Sequence, residues 1–306
     1  MFETPVLLLI FNRADTTKKI LTVLEQIRPK QLFVAADGPR DGKEGEYEKC
    51  LQAREIIDSY ITWPCEIHKL YREHNLGCGV AVSSSVDWFF SKVDKGIILE
   101  DDTLPDTSFF YYCEKLLNYY DKNDNVMHIA GSNLQCGIKR TNYSYYFSKY
   151  PLIWGWATWK NSWLKYSYDI LDSDSDILSN LKKNLGNDEA VYFYEHIKNV
   201  KYKKIDTWDF QWLYAVIKNS GLCIVPSYNL VKNLGFNNSA THTTAPPFWY
   251  RYLKNKPLTS LDFNPNLTLN HKADKFYMSL TKEEKSMSLQ YAKFLYNFDK
   301  IVNKFF

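Results

Sequence analysis

Residues 95–105 read KGIILEDDTLP. The apolar run Ile97-Ile98-Leu99 leads directly into three carboxylates, Glu100, Asp101 and Asp102. A continuous apolar run bounded by polar residues is the pattern of a strand buried on both faces, whereas alternation marks a strand with one wet face. Adjacent like charges repel, so three acids at the end of a buried strand form either a solvated turn or a site for something positive.

The surroundings of this strand predict the fold. VAVSSSVDWFFSKV before it and TSFFYYCEKLLNYY after it have helical spacing, and VMHIAG then reads as another strand. Toward the N-terminus, VLLLI is a first buried strand. A helix follows, capped at Asp15 or Thr16 and stopped by Pro29, and QLFVAA is a second strand. A helix over residues 45–60 and the strand CEIHKLYR complete the series. Strands alternating with helices predict an α/β fold with a mostly parallel, Rossmann-like sheet flanked by helices.

Ligands of such sheets bind outside the carboxyl ends of the strands. Asn12-Arg13, Asp37-Gly38, Arg72 to Asn75 and Glu100-Asp101-Asp102 all fall at those ends. The first strand is not followed by G-x-G-x-x-G and the chain has no G-x-x-x-x-G-K-[ST], which disfavours a dinucleotide dehydrogenase and a P-loop enzyme.

Beyond residue 135 the alternation fades. YYFSKYPLIWGWATWKNSW is dense in aromatic residues and glycine, and a polar helical stretch covers residues 173–201. DTWDFQWLYAVIKNSG reads as a helix ending at Gly221, LCIVP as a short strand and LGFNNSATHTTAPP as a loop. The last segment, TKEEKSMSLQYAKFLYNFDKIVNKFF, reads as an amphipathic helix with a basic end. The chain thus divides into residues 1–135 and an aromatic-rich 136–306, packed as one unit.

Composition narrows the function. A net charge of +3 over 306 residues gives no footprint for nucleic acid. Six cysteines without a C-x-x-C pair read as reduced and mostly buried, which argues against zinc. MFETPVLLLIFNR has no basic n-region and too short an apolar run to span a bilayer, and no later segment reaches spanning length. The expectation is a cytoplasmic protein, with any membrane contact peripheral at the inner face, where the basic aromatic C-terminus would rest.

A hard divalent cation takes oxygen ligands and is often held by one or two carboxylates plus substrate phosphates. Glu100-Asp101-Asp102 at a strand end, beside a nucleotide-sized crevice, suits that arrangement. The blander alternative is an acidic turn in water.

A strand, then E-D-D, then a helix resembles the metal motif of GT-A-fold glycosyltransferases. The order FNR, ADG, ILEDD, WGWATW and TWDFQW is similar to the N-acetylglucosaminyltransferase I family and its bacterial relatives, over roughly residues 6–242. The resemblance implies a metal-dependent, inverting transfer of a sugar from a UDP-sugar donor to a hydroxyl of a glycan or lipid-linked oligosaccharide acceptor, in bacterial surface polysaccharide synthesis. Residues 1–135 would bind the nucleotide-sugar and 136–306 the acceptor. Arg13 and Asp37 would contact the base and its surroundings, and Glu100 and Asp101 donor sugar and ribose hydroxyls; apart from the resemblance, Asn75 beyond the third strand reads either as a donor contact or as a turn residue. Asp102 would bind Mn²⁺ or Mg²⁺; apart from the resemblance, His242 in SATHTTAPP reads either as a ligand to metal or diphosphate from a loop closing over the donor or as a surface histidine. Asp209 would be the catalytic base, with Trp208 near the donor sugar. Trp154, Trp156 and Trp159 would wall the acceptor site or fill the core. The sequence departs from the family at Phe210, where a second acid is usual, and at Thr103, where leucine is usual.

Two other classes compete. A sugar-nucleotide nucleotidyltransferase also uses acids on an α/β sheet, but it carries a glycine- and basic-rich loop where this chain has FNRADTT. A carbohydrate-binding protein without catalysis would use the aromatic residues and has no need of Asp37 or the three acids.

Overall fold

The computed structural model describes residues 1–236, 245–282, 290, 293, 294 and 296. Four parallel strands, β1 (Val6–Ile10), β2 (Gln31–Ala36), β3 (Glu66–Tyr71) and β4 (Lys95–Glu100), lie in spatial order 3-2-1-4. α1 (Ala14–Ile27), α2 (Glu46–Tyr60) and α3 (Gly77–Phe90) make the crossovers. All five side chains of β1 are buried, as are Ile97, Ile98 and Leu99 of β4. Burying each such aliphatic side chain is worth about 1.5–3 kcal/mol, so the apolar run locks the strand and thereby delivers Glu100 to its open end.

The chain then forms β5 (Thr103–Pro105), α4 (Thr107–Tyr119), β6 (Val126–Ala130), β7 (Tyr145–Ser148) and β8 (Trp156–Trp159). These are followed by α5 (Lys160–Trp163), α6 (Asp174–Leu185), α7 (Asn187–Lys201), α8 (Asp209–Lys218), β9 (Leu222–Pro226), β10 (Val231–Asn233) and α9 (His271–Thr281). One eight-stranded sheet has the order β3-β2-β1-β4-β8-β6-β9-β7, and β5 pairs with β10 in a separate ribbon. β8 runs antiparallel to both of its neighbours, β4 and β6, and β7 is antiparallel to β9. The result is the expected mixed α/β fold, with a large, mostly parallel sheet between helices.

Several local expectations change. α1 begins at Ala14 after an Arg13 cap that makes no side-chain capping bond, rather than at Asp15 or Thr16. Its end is as expected: Arg28 turns left-handed before Pro29. The polar stretch 173–201 is two helices, because Gly186 at φ 90° breaks the run between α6 and α7. The aromatic segment after residue 135 contains β7 and β8, which extend the sheet instead of leaving it. β8 inserts between β4 and β6, so the sheet is continuous across residue 135. All six cysteines are free, with Cys50, Cys113, Cys136 and Cys223 buried. Among the described residues no helix is long and apolar enough to cross a membrane. The C-terminal amphipathic segment lies almost entirely outside the described residues.

Candidate functional site

The strand order reverses direction between β1 and β4: β2 and β3 extend to one side of β1, and β4 lies on the other. A crevice opens at such a point, outside the carboxyl ends of the strands. There the fold has a cavity of about 620 Å³. Arg13, Asp37, Asn75, Glu100, Asp101, Asp102, Trp208 and Asp209 all line it. Eight predicted positions, spread over nearly two hundred residues, therefore meet in one place. His242 lies outside the described residues.

The acids differ in what they hold. Asp101 is buried, and its Oδ2 accepts the Phe11 N–H at 3.0 Å, fixing the chain just after β1. Arg13 follows two residues later. Its Nη1 lies 2.6 Å from Asp102 Oδ2 and 3.3 Å from Asp101 Oδ1. Burial opposes the Arg13 charge, but the two aspartates hold its pKa above the usual value. The Glu100 carboxylate accepts no hydrogen bond among the described residues. Burial, and then the charges of Asp102, Asp101 and Asp209, push Glu100 well above the ordinary carboxylate range against the pull of Arg13. Burial pushes Asp101 up to about 7, with Arg13 offsetting only part of it. Thr103 closes this corner: its hydroxyl accepts the Glu100 N–H at 3.0 Å and donates to the Glu100 carbonyl at 2.9 Å. The ribbon covers the turn, with the Leu234 N–H on the Asp102 carbonyl at 2.7 Å.

At the β2 end, the Asp37 carboxylate receives the Leu76 N–H at 3.1 Å on each oxygen and the Gly38 N–H at 3.0 Å. Its burial outweighs these bonds and raises its pKa. Asn75 donates to the Gly38 carbonyl at 2.8 Å and accepts the Gly77 N–H at 3.2 Å. Arg72 is steadied by Ser85 at 3.0 Å and Ser84 at 2.8 Å.

Asp209 is the first residue of α8. Its Oδ1 accepts the Thr207 hydroxyl at 2.5 Å and its own helix's Phe210 N–H at 3.0 Å. Trp208 lines the cavity but is only 2% exposed, stacked on Trp156 with centroids 5.5 Å apart. Trp156 and Trp159 are core residues, while Trp154 is half-buried and lines the cavity. Phe210, in the position where a second acid was expected, also lines the cavity and stacks on His196 with centroids 4.8 Å apart.

Sequence reasoning missed Asp206, Asn233 and Phe236, which line the same cavity. Asp206 accepts the Gly79 N–H at 2.9 Å and so ties the start of α3 to the segment before α8. Gly77, at φ 79°, packs so tightly on the Asp206 carboxylate that a Cβ there would collide with it. The acid three residues before Asp209 was visible in DTWD, but its partner at residue 79 was not.

Among the described residues no group of three or more His, Cys, Asp or Glu side chains forms a ready-made metal site. The donor set nevertheless fits a cation held mainly by ligand oxygens. Asp102 faces the cavity, the Glu100 carboxylate accepts no hydrogen bond among the described residues, and the local carboxylates outnumber their counter-charge.

No family model and no curated protein matches the chain. Remote similarity to solved structures is found. HddC from Yersinia pseudotuberculosis is 10% identical, covering 52% of this chain and 77% of that one, with TM-score 0.31. The 4-diphosphocytidyl-2C-methyl-D-erythritol synthase of Anaerococcus prevotii is 8% identical over 64% of this chain and 99% of that one, with TM-score 0.32. Mouse xyloside xylosyltransferase 1 is 9% identical over 70% and 81%, also with TM-score 0.32.

Proposed function

We propose that the protein is a metal-dependent, inverting glycosyltransferase that moves a sugar from a UDP-sugar to a hydroxyl of a glycan or glycolipid acceptor. The carrying observation is one cavity that joins Asp37, Asn75 and Arg72 at the β2–β3 end, the Arg13–Asp102 corner at the end of β4, and Asp209 at the start of α8. The ordered resemblance to the N-acetylglucosaminyltransferase I family supports the same reading. Residues 1–135 would supply the nucleotide-sugar contacts and 136–306 the base and the acceptor side.

Asp37 would accept an N–H of uracil while its backbone bonds hold it still. Glu100, whose carboxylate accepts no hydrogen bond among the described residues, would accept sugar or ribose hydroxyls, and Asp101 would keep Arg13 aimed into the cavity. Asp102 would hold Mn²⁺ or Mg²⁺, which when bound would stabilise the leaving diphosphate. Asp209 would take the proton of the acceptor hydroxyl. The acceptor oxygen would then bond to the anomeric carbon as its bond to the diphosphate breaks, with the electron pair leaving on UDP. A single displacement inverts the anomeric centre. Acceptors would be glycans of a bacterial cell surface assembled at the inner membrane face.

A second reading keeps the fold and changes the bond that breaks. Arg13, Arg40 and Arg72 all line the cavity; held by Asp101 and Asp102, by Glu46 and by two serines respectively, they would have to turn part of their donors to a nucleoside triphosphate, as a sugar-1-phosphate nucleotidyltransferase requires. Thermal shift with UDP, UTP and CTP, each with and without Mn²⁺, followed by product analysis with UDP-sugars, separates the readings. Mn²⁺-dependent stabilisation by UDP and release of UDP from a UDP-sugar support the glycosyltransferase. Pyrophosphate release from a triphosphate and a sugar phosphate would replace it with the second reading. No response to any nucleotide would leave carbohydrate binding alone.

A further inference from the structure

We propose that Trp154 and Phe236 form a stacking subsite for a pyranose ring of the acceptor; the inference rests on the glycosyltransferase reading and names the ligand class of that site's far end. β4 and β8 pair antiparallel, with Lys95 opposite Trp159 and Ile98 opposite Trp156. Trp154 lies two residues before β8 begins, across the Gly155 turn, and lines the same cavity as Glu100 at the end of β4. The aromatic wall therefore stands beside the acids. Asp37, at the end of β2, lies on the far side of β1 and β4 in the sheet order β2-β1-β4-β8. Three strand spacings of about 4.8 Å separate β2 from β8, on the order of 14 Å. A nucleotide seated at Asp37 with its diphosphate near Arg13 leaves the Trp154 end for the group beyond the transferred sugar.

The wall is built before any ligand arrives. Trp154 stacks on Trp249 with centroids 6.3 Å apart and meets Phe236 edge-on at 5.7 Å and Tyr250 edge-on at 6.0 Å. Phe236 meets Tyr250 at 4.7 Å, and the Tyr250 hydroxyl donates to the Asn233 carbonyl at 2.5 Å. Trp156, Trp208 and Trp212, by contrast, are buried in a stack of their own. Trp154 and Phe236 thus give the cavity an apolar wall, while Asp102, Asp209 and Asn233 give it polar ones. A pyranose has the matching form, a face of C–H groups with a rim of hydroxyls, and indole faces bind such surfaces.

Saturation-transfer NMR tests this with methyl β-D-glucopyranoside and methyl N-acetyl-β-D-glucosaminide as probes, each with UDP and Mn²⁺ present to fill the donor end. Wild-type protein should transfer saturation to ring C–H protons of at least one glycoside. Trp154→Ala and Phe236→Ala should each weaken that binding roughly tenfold, the factor that corresponds to about 1.4 kcal/mol of lost stacking. Trp154→Phe, which preserves the packing, should keep most of it, and Tyr119→Ala, on a separate surface, should change nothing. UDP's own signals report the donor end in the same samples. Glycoside binding unchanged in both alanine variants, or absent from wild type while UDP binds, overturns the subsite. Glycoside binding that depends on Trp154 in protein that ignores UDP keeps the subsite and removes the transferase.

Discussion

The Arg13 guanidinium lies 2.6 Å from Asp102 Oδ2, the carboxylate that would take the metal, and 3.3 Å from Asp101 Oδ1. All three side chains are largely shielded, with exposures of 9–20%. Removing one partner of a shielded pair leaves the other charge uncompensated. Arg13→Gln should therefore lower stability by about 2–3 kcal/mol, read from urea unfolding at neutral pH. Mn²⁺ alone should then restore more stability to Arg13→Gln than to wild type, because the cation would meet an unpaired Asp102. A variant that unfolds at the wild-type midpoint would show that the pair contributes nothing.

Asp209 accepts two hydrogen bonds through Oδ1, from Thr207 and Phe210. An asparagine keeps that oxygen but cannot remove a proton. Asp209→Asn should retain the wild-type midpoint and UDP affinity while losing transfer by about 10²–10⁴-fold, the usual contribution of a general base. Isothermal titration with UDP and single-turnover transfer measure the two quantities separately. Wild-type turnover in Asp209→Asn would remove it as the base.

Asp206 links α3 to the segment before α8 through the Gly79 N–H. Asp206→Ala strips that donor of its partner and should cost about 1–2 kcal/mol. Gly77→Ala should cost more, because it combines positive φ with a collision against the Asp206 carboxylate. In the double variant Asp206→Ala/Gly77→Ala the collision is gone, so the two costs should not add. Denaturation midpoints of the four proteins complete the cycle, and simple additivity would show that the two residues do not communicate.

Asp274, on α9, is buried, with Ser148 donating to it at 2.6 Å. Burial pushes its carboxyl from an ordinary 3.8 up to about 6, against the pull of Ser148 and the Lys149 N–H. The folded protein therefore holds this proton more tightly than the unfolded chain does. The penalty is absent below about pH 4, grows as pH rises through 6 and is then constant. Asp274→Asn should flatten that slope and stabilise the protein at pH 8 by roughly 2–3 kcal/mol, at about 1.4 kcal/mol per pKa unit. Urea unfolding of both proteins at pH 4 and pH 8 checks it; an equal difference at the two values would show that Asp274 does not titrate in this window.

The parallel half of the sheet is written locally. VLLLI, QLFVAA and GIILE are strands because buried parallel strands need unbroken apolar runs, and the helices between them show their spacing within one window of sequence. The acids after β4 and the polar groups after β1 to β3 follow from that alternation, since strand ends are where a doubly wound sheet binds ligands. β7 and β8 were not legible, because short, aromatic, glycine- and proline-broken segments carry no decisive period, and their pairing is with strands far away in sequence. Gly186 was legible as a residue, but only φ 90° there shows that it divides α6 from α7.

The sequence by itself determined which chemistry the chain carries: a run of acids behind a buried strand, a basic residue after the first, and an acid between two tryptophans. Only the tertiary structure decided which of these groups meet and which are already engaged. Asp206 reaches Gly79 across 127 residues, the antiparallel insertion of β8 beside β4 brings Trp154 to the cavity that Glu100 lines, and Arg13 pairs with Asp101 and Asp102. Those relations depend on long-range strand order and on the exclusion of water around close charges, which no local window of sequence contains.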